Sequence, residues 1–565
     1  MRQPASAALK PLAIETPLAI TTHEPRAAFC RELGAVLALS AALTVVFLYP
    51  IAFHIGSVGR VDKADGQWSI WVVSWVARML VVDPRHLFDA NIFYPHRGTL
   101  AYSENNLGAG LLAAPVYWAT RNPYAAHNFV VLLAFVLSAT GTYYLVRYLS
   151  GDRRAAGVSA ICFAFCPYMF AHLPHIQLEL TAGFPFTMLA FHRLADRPST
   201  ARGATLGAVM AAQALCCGYY GVFAILLVGY AVVVVAAMRS LWGHRAYWSA
   251  IAAGGVIAIV LVAPAFLPYV TLQRTTGFHR PLDSARGFSA NLSAYLASSS
   301  YAHGWMLRLL PPWGEVLFPG FVTTVFGLAG FWLGRRFRRG EMVAVYGGAT
   351  ILAFWASFGP AAGLYSVLYR IVPVFSWMRA PERFGVLVAF SLSVLAGGAL
   401  AALFERRPLA NLAAATLAAA VVVELAVPFS WPQALPVEPV YRVLAAQPPG
   451  PVIEMPFYYR EVGLYRHAQY MLRSTVHWMP LVNGYSDYIP DDFLANVRTI
   501  ASFPSPGAFK ILEPLRVRYA VFHTYGYNTR NRNEVLARLA EFEPYLRPLY
   551  IDDTLRLYEI VGFPP

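Results

Sequence analysis

The chain has 565 residues, of which 57% are hydrophobic and only 13% charged, and it carries a formal net charge of +14. This charged fraction is about half that of an ordinary soluble protein, which excludes a purely soluble globular fold. The positive charge does not form a basic patch interleaved with aromatic residues, because the arginines cluster between apolar blocks. Nucleic acid is therefore not a predicted partner.

Residues 1–30 are rich in Ala, Pro and Thr, and we expect them to be a disordered N-terminal segment. They lack the charged start, immediate apolar run and cleavage site of a secretory signal peptide. The first apolar block is therefore predicted to be an uncleaved anchor that inserts the chain into a membrane.

Long apolar blocks then recur along the chain, with lengths close to the roughly 17–25 residues that cross a hydrocarbon core as a helix. They predict a polytopic α-helical membrane protein with about eleven transmembrane helices. The predicted spans are near 33–55, 128–149, 155–170, 178–194, 203–216, 218–238, 247–269, 316–333, 342–358, 384–403 and 412–427.

The arginines in the short loops predict the orientation of these spans. They fall on alternate loops, so that all lie on one side: Arg147, Arg153, Arg154, Arg193, Arg197, Arg202, Arg239, Arg245, Arg335, Arg336, Arg338, Arg339, Arg406 and Arg407. By the positive-inside rule that side is cytoplasmic, together with the N-terminus. An odd number of spans then places the C-terminus outside the cytoplasm, and we expect the protein in the inner (plasma) membrane of a bacterium.

Large outer loops are predicted at 56–127 and 271–315. In the first loop Trp68, Trp71 and Trp75 recur at the spacing of one helical face. Because indole rings favour the membrane–water boundary, we expect this helix to lie flat among the lipid headgroups.

After residue 428 the composition shifts to Pro, Arg, Glu and Tyr. Strand-like runs occur at 451–455, 518–522 and 555–561, and helical patterns at 492–500 and 533–540. The sequence therefore predicts a membrane domain over 31–428 and a soluble extracytoplasmic α/β domain over 429–565.

The membrane domain resembles the bacterial glycosyltransferases of the GT-C superfamily, which include the dolichyl-phosphate-mannose-type and aminoarabinose-type transferases. The resemblance covers about the first 430 residues. It rests on an anchor helix followed by an acidic segment at 61–68 (VDKADGQW), and on the segments 87–95 (LFDANIFYP) and 379–384 (RAPERF). It implies transfer of a sugar from a polyprenyl-phosphate donor to a glycan, lipid or protein acceptor at the outer face. Asp62 and Asp65 stand three apart, whereas some branches of the superfamily have a compact Asp-Glu pair.

Inverting glycosyl transfer needs a carboxylate that takes the proton from the acceptor hydroxyl. Asp65 is the first candidate, because it follows the anchor helix and precedes the Trp-rich helix. An Asp at this position is equally typical of a helix N-cap. Asp62 is the alternate base, and Glu104 lies in a polar stretch of the kind that holds sugar hydroxyls.

A second group of candidates, His172, His175 and Glu179, lies in an outer turn between two spans. Their spacing would place them on one helical face, where they could contact substrate or hold a divalent metal, although Pro174 interrupts the spacing. No cofactor is otherwise predicted, and these residues also fit the polar end of a helix.

The donor phosphate is predicted to bind at Arg379 and Arg383, which flank Pro381. A proline at the first helical position marks a helix N-terminus, which attracts anions, and the two guanidiniums would add a charged clamp. Snorkelling arginines would give the same pattern. His279 and Arg280 form a second basic cluster.

Tyr485 and Asp487 lie in an aromatic and polar stretch of the soluble domain that is typical of carbohydrate sites and also of ordinary packing. Two other functions stay open on the sequence alone. One is a secondary transporter, although charges avoid the centres of the spans. The other is a non-catalytic or ligase-type membrane protein of surface polysaccharide assembly.

Overall fold

The computed structural model describes residues 26–405, 407–428 and 430–564, and most of these residues are helical. Residues 1–25 of the predicted disordered segment lie outside this part of the chain. Residues 26–30 belong to the first helix, which begins at Arg26.

The helices of the membrane domain are joined by short turns and by longer connections, such as those between Val82 and Leu107 and between Thr276 and Gly304. They are α1 (Arg26–Phe47), α2 (Ala64–Val82), α3 (Leu107–Thr120), α4 (Pro123–Ser150), α5 (Arg153–Ala164), α6 (Pro167–Ala171), α7 (Ile176–Glu179), α8 (Gly183–Asp196), α9 (Thr200–Cys216), α10 (Gly218–Met238), α11 (Arg245–Thr276), α12 (Gly304–Leu307), α13 (Phe321–Leu333), α14 (Gly348–Ser357), α15 (Leu364–Ile371), α16 (Gly385–Phe404) and α17 (Ala410–Glu424).

Six helical segments in the described part of the chain are long and apolar enough to cross a membrane. They are Arg26–Phe47, Pro123–Ser150, Arg153–Ala171, Gly218–Met238, Arg245–Thr276 and Pro381–Phe404. Shorter apolar helices occur at Leu107–Thr120, Val343–Ser357 and Ala410–Glu424. The helical membrane fold is thus as predicted, whereas the number of eleven spans stays a prediction.

Glycines bring α9 and α11 into direct backbone contact. A Cβ atom on Gly203 would lie 2.1 Å from the carbonyl oxygen of Ala250, and one on Gly207 would lie 2.2 Å from that of Gly254. Neither distance leaves room for a side chain. The two helices therefore pack as small-residue pairs do in membranes, where close van der Waals contact replaces the hydrophobic effect.

The Trp-rich helix α2 differs from the prediction. Trp71 is only 1% exposed, and Trp68 and Trp75 are also buried. The indole nitrogen of Trp71 donates to Asn91 Oδ1 at 3.1 Å, and that of Trp75 donates to the carbonyl of Leu87 at 2.9 Å. The expectation that these rings face lipid headgroups is wrong, because their polar edges find partners inside the protein.

The C-terminal domain, residues 430–564, contains α18 (Pro439–Ala445), α19 (Ala468–Arg473), α20 (Asp491–Ile500), α21 (Pro506–Leu512) and α22 (Thr529–Glu541). Its strands are β1 (Val452–Met455), β2 (Tyr519–His523), β3 (Leu546–Ile551) and β4 (Leu555–Ile560), in the order β1-β2-β4-β3. The pair β1-β2 is parallel and the other two pairs are antiparallel. The predicted small sheet is confirmed, and β3 is the strand that the sequence missed.

The C-terminal domain docks on the first outer loop through backbone hydrogen bonds. The amide of Tyr94 donates to the carbonyl of Leu481 at 2.8 Å, and the amide of Leu481 donates to that of Asn91 at 2.9 Å. The amide of Tyr488 donates to Tyr102 at 2.8 Å. These bonds hold residues 483–488 over the first turn of α2 and thereby complete the candidate site.

Candidate functional site

Asp65 lies in the first turn of α2, which follows directly after the segment that leaves α1. The N-cap residue is Lys63, so Asp65 is not the cap. Its carboxylate lies 3.4 Å from His175 Nε2 and accepts a hydrogen bond of 3.4 Å from the hydroxyl of Tyr485. The hydrogen bond from His175 holds the pKa of Asp65 below its usual value, although partial burial opposes the shift. Asp65 is therefore ionised at neutral pH.

Asp62 is directed elsewhere. It forms a bidentate ion pair with Arg60, in which Nε lies 3.1 Å from Oδ1 and Nη2 lies 3.2 Å from Oδ2. The structure thus separates the two aspartates of the acidic segment, one paired with a neighbouring arginine and the other with His175 and Tyr485.

Glu104 reaches the N-terminus of α10. Its Oε2 accepts from the amide of Gly218 at 3.1 Å, so it satisfies one of the free amides of the first helical turn. Burial raises the pKa of Glu104, and the Gly218 amide and the charge of Arg383 act in the opposite sense. Glu104 therefore shapes the wall of the site beside Tyr219.

Arg383 lies in the single turn Pro381–Phe384 that leads into α16. Its guanidinium carbon stands 4.5 Å from the ring centroid of Tyr219. In the described part of the chain this guanidinium forms no ion pair. Its positive charge favours the ionised forms of Asp65, Glu104 and Glu315. A stacked guanidinium with free donors is well suited to bind a phosphate.

The other predicted basic residues are held by a carboxylate of the C-terminal domain. Asp487 Oδ1 lies 3.1 Å from Arg280 and 3.1 Å from Arg379, and Asp487 Oδ2 accepts from the hydroxyl of Ser103 at 3.1 Å. His279 is exposed and bonds only the local carbonyl of Gly277, at 2.9 Å. The predicted pair of His279 and Arg280 is thus split, and Arg280 joins Arg379 instead.

The three residues of the outer turn do not share a helical face. His172 Nε2 lies 3.2 Å from Glu315, and His175 contacts Asp65. Glu179 is fully buried, and both its oxygens are without a hydrogen-bond partner among the described residues. Pro174 lies between His172 and His175, and α6 ends at Ala171 before α7 begins at Ile176, so the chain turns where the spacing required one continuous helix.

No group of three His, Cys, Asp or Glu side chains that could hold a metal ion occurs among the residues that the structure describes. The nearest arrangement consists of two separate acid–histidine pairs, Asp65 with His175 and Glu315 with His172. Burial would raise the pKa of Glu315, but His172 and the amide of Val316 lower it below its usual value. The geometry therefore offers no set of three ligands directed at one point.

A cavity of about 100 Å³ lies beside Glu104 and Tyr219, and its lining includes neither Asp65 nor Arg383. Glu104, Tyr219, Arg280 and Asp487 supply its polar wall, and aromatic rings such as Trp377 supply much of the remainder. Charged groups beside flat apolar rings form the kind of surface on which a sugar ring and an anion can bind together.

Tyr219, Glu315 and Asp487 take part in the site although the sequence did not mark them as its first candidates. Tyr219 lies in the first turn of α10, in a stretch without charged residues, and Glu315 lies at the end of the predicted loop 271–315. The sequence identifies Asp487 only as part of an aromatic and polar stretch near the C-terminus. Charge balance could have indicated Asp487, because the charges of Arg280 and Arg379 favour a carboxylate supplied by another segment.

The chain matches no family model, and no curated protein matches its sequence. Two solved structures resemble it in fold, both of ArnT from Cupriavidus metallidurans. The apo structure has 15% sequence identity and a TM-score of 0.45, and the match covers 95% of this chain and 100% of ArnT. The structure bound to undecaprenyl phosphate has 13% identity and a TM-score of 0.45, and the match covers 95% of this chain and 99% of ArnT.

Proposed function

We propose that this chain is an inverting membrane glycosyltransferase that moves a sugar from a polyprenyl-phosphate donor to an acceptor at the extracytoplasmic face. One observation carries the proposal. The guanidinium of Arg383, which lies over the ring of Tyr219 and has no ion-pair partner in the described part of the chain, is close enough to Asp65 for its charge to favour the ionised carboxylate. Inverting transfer needs one group to accept a proton and another to hold an anion.

Asp65 acts as the base. The acceptor hydroxyl attacks the anomeric carbon of the donor and loses its proton to Asp65, while the bond from that carbon to the phosphate oxygen breaks. The phosphate leaves with the bonding electrons, so no general acid is required. His175 and Tyr485 fix the carboxylate by hydrogen bonds to separate oxygens. One lone-pair site on each carboxylate oxygen thereby remains available to accept the proton of the acceptor hydroxyl.

Arg383 holds the leaving phosphate. Its stacking on Tyr219 fixes the plane of the guanidinium and leaves its N–H groups available to oxygen. Arg280 and Arg379 stand nearby but already share Asp487. Arg383 is therefore the primary anion site, and the other two arginines supply longer-range positive charge. No step requires a divalent metal.

In this proposal the protein lies in the bacterial inner membrane with its N-terminus in the cytoplasm. The C-terminal domain stands outside and holds Tyr485 and Asp487 over the site, where a glycan, lipid or protein acceptor would approach. The acceptor thus meets a lipid-linked donor where α2 and α16 begin.

Sugar transfer in membranes that contain the full chain tests these roles. Asp65→Asn removes the proton acceptor at nearly constant volume, and we expect transfer to fall at least a hundredfold, within the range of general-base catalysis. Arg383→Gln should weaken binding of a polyprenyl phosphate to the purified protein. Asp62→Asn, which changes the aspartate paired with Arg60, should retain most of the transfer.

Asp83→Asn is the matched control, because Asp83 is another aspartate of the first outer loop and its partner, His86, is exposed. Full transfer by a folded Asp65→Asn protein would exclude Asp65 as the base. Uptake of a free solute into vesicles without any sugar transfer would support a transporter instead and overturn the proposal.

A further inference from the structure

A second and larger cavity lies far from Asp65, between α1 and the helices α4, α5 and α17. Its volume is about 590 Å³. Small residues such as Ala139, Gly157 and Ala414 form its floor, and Leu39 and Leu43 of α1 form one wall. The cavity stays open because α1 packs loosely, and Ser40, Thr44 and Phe47 are the residues of that helix that are buried.

The cavity runs along the helix for the depth of one lipid leaflet. Its lining on α1 extends from Ala28 to Leu43, and the stretch from Arg31 to Leu43 spans twelve residue steps. At the helical rise of about 1.5 Å per residue this is about 18 Å. Half of a hydrocarbon core is about 15 Å thick. A lipid with its headgroup at Arg31 would therefore have its acyl chain along the whole cavity.

Charged groups gather only at one end of the cavity. Arg31, Glu32, Arg153 and Arg154 line that end. Arg153 pairs with Glu32 at 2.7 Å, and Arg154 pairs with Asp152 at 2.6 Å. Arg31 is exposed and forms no ion pair within the described residues. The rim therefore has an excess of positive charge, since three arginines and one glutamate line it.

This end lies on the face of the bundle opposite to the candidate site. The C-terminal end of α1 leads to Asp65, so Arg31, in the second turn of α1, stands at the other end. The helix α10 gives a second reference point. Its first residue, Gly218, binds Glu104, so the start of α10 lies on the side of the candidate site, as the end of α1 does. The cavity is thus separate from the proposed catalytic region.

We propose that this cavity binds a glycerophospholipid with an anionic headgroup. The phosphate binds Arg31 and the adjacent arginines, and an acyl chain fills the groove between α1 and α5. Basic pockets between transmembrane helices are known to bind anionic headgroups in this way. The bound lipid fills the gap that the weak packing of α1 leaves and attaches this helix to the bundle. This proposal does not depend on the proposed function.

Retention of lipid by the purified full chain tests the proposal. The protein is equilibrated with equal amounts of phosphatidylglycerol and phosphatidylethanolamine, then washed with detergent, and bound lipids are measured by native mass spectrometry. We expect about one phosphatidylglycerol per chain and much less phosphatidylethanolamine. Arg31→Gln should reduce the retained phosphatidylglycerol at least fivefold.

A second variant fills the cavity without changing charge. A Cβ atom on Gly157 meets nothing within 4 Å, so Gly157→Phe can place its ring in the groove. It should reduce phosphatidylglycerol retention as strongly as Arg31→Gln. The matched controls are Gly229→Phe, at another open helical glycine, and Arg245→Gln, at an exposed arginine on the same face. Both should retain lipid as the wild type does.

Equal retention of the two phospholipids by the wild type would overturn the proposal. So would unchanged retention in both Arg31→Gln and Gly157→Phe, or an equal loss in the two controls. A polyprenyl phosphate retained in preference to phosphatidylglycerol would also contradict it, because the site would then belong to a different lipid.

Discussion

The guanidinium of Arg383 stacks on the ring of Tyr219, and the hydroxyl of the same tyrosine accepts a hydrogen bond of 2.9 Å from the backbone amide of Arg379. One side chain at the start of α10 therefore positions the segment before α16 twice, through its ring and through its oxygen. Glu104 binds the amide of Gly218 next to it. The N-terminal ends of α10 and α16 thus form one unit with the loop 56–127.

Two substitutions of Tyr219 distinguish the contact of its ring with Arg383 from the hydrogen bond of its hydroxyl with Arg379. Tyr219→Leu removes the ring beneath Arg383, and loss of a cation–π contact of about 1 kcal/mol should weaken binding of a polyprenyl phosphate about fivefold. Tyr219→Phe keeps the ring and should bind nearly as the wild type does. Titration of the purified protein with the lipid phosphate measures both. Equal binding by the Leu and Phe variants would show that stacking does not position Arg383.

The pair of Asp65 and His175 predicts a pH dependence. The histidine lowers the pKa of Asp65, so the ionised pair contributes stability and activity above the usual pKa of Asp65, and both are lost as the pH falls through the lowered value. His175→Gln should move the acid limb of the transfer profile upward, toward the usual pKa of 3.8. Rates measured across the acid range check this shift. An unchanged acid limb would mean that another group controls it.

Asp487 makes a prediction about anion binding. It occupies Arg280 and Arg379, so Asp487→Asn should free both guanidiniums and strengthen binding of a phosphate-bearing lipid severalfold. The pairs are partly exposed, and the loss of stability should be small, about 1 kcal/mol or less. Asp492→Asn, which changes an exposed aspartate paired with His96, is the control. Weaker binding by Asp487→Asn alone would mean that Asp487 orients the arginines instead of competing for them.

The contact between α9 and α11 predicts a difference between two neighbouring helical positions. Gly207→Ala would place a Cβ atom 2.2 Å from the carbonyl oxygen of Gly254, and such overpacking should cost about 1–3 kcal/mol. Gly255→Ala adds the same atom where nothing lies within 4 Å. Thermal unfolding in detergent should separate the two variants. Equal melting temperatures would show that α9 and α11 can move apart to accept the extra atom without a loss of stability.

The helical membrane fold and the small C-terminal sheet could be predicted from the sequence, because apolar blocks and alternating runs reflect local physics. The strand β3 could not, because it contains Arg547 and Pro548 and lies at the sheet edge. The burial of Trp71 was also beyond the sequence. Its spacing fits either a membrane surface or a protein core, and only the position of the C-terminal domain decides between them.

Several residues of the candidate site could be predicted from the sequence, but the ion pairs between them could not. The sequence marked Asp65, Arg379 and Arg383 by residue type and by position at helix starts. It could not show that Asp487 crosses from the C-terminal domain to hold Arg379, since such contacts join residues far apart in the chain. The grouping of His172 with Glu179 assumed a continuous helix that the chain does not form.

A structure of the full chain with a bound polyprenyl phosphate tests the central claim most directly. The proposed function predicts phosphate oxygens at hydrogen-bonding distance, about 3 Å, from the guanidinium of Arg383, with the Asp65 carboxylate facing the same space. A phosphate bound away from Arg383, in a part of the membrane domain that Asp65 cannot reach, would contradict it.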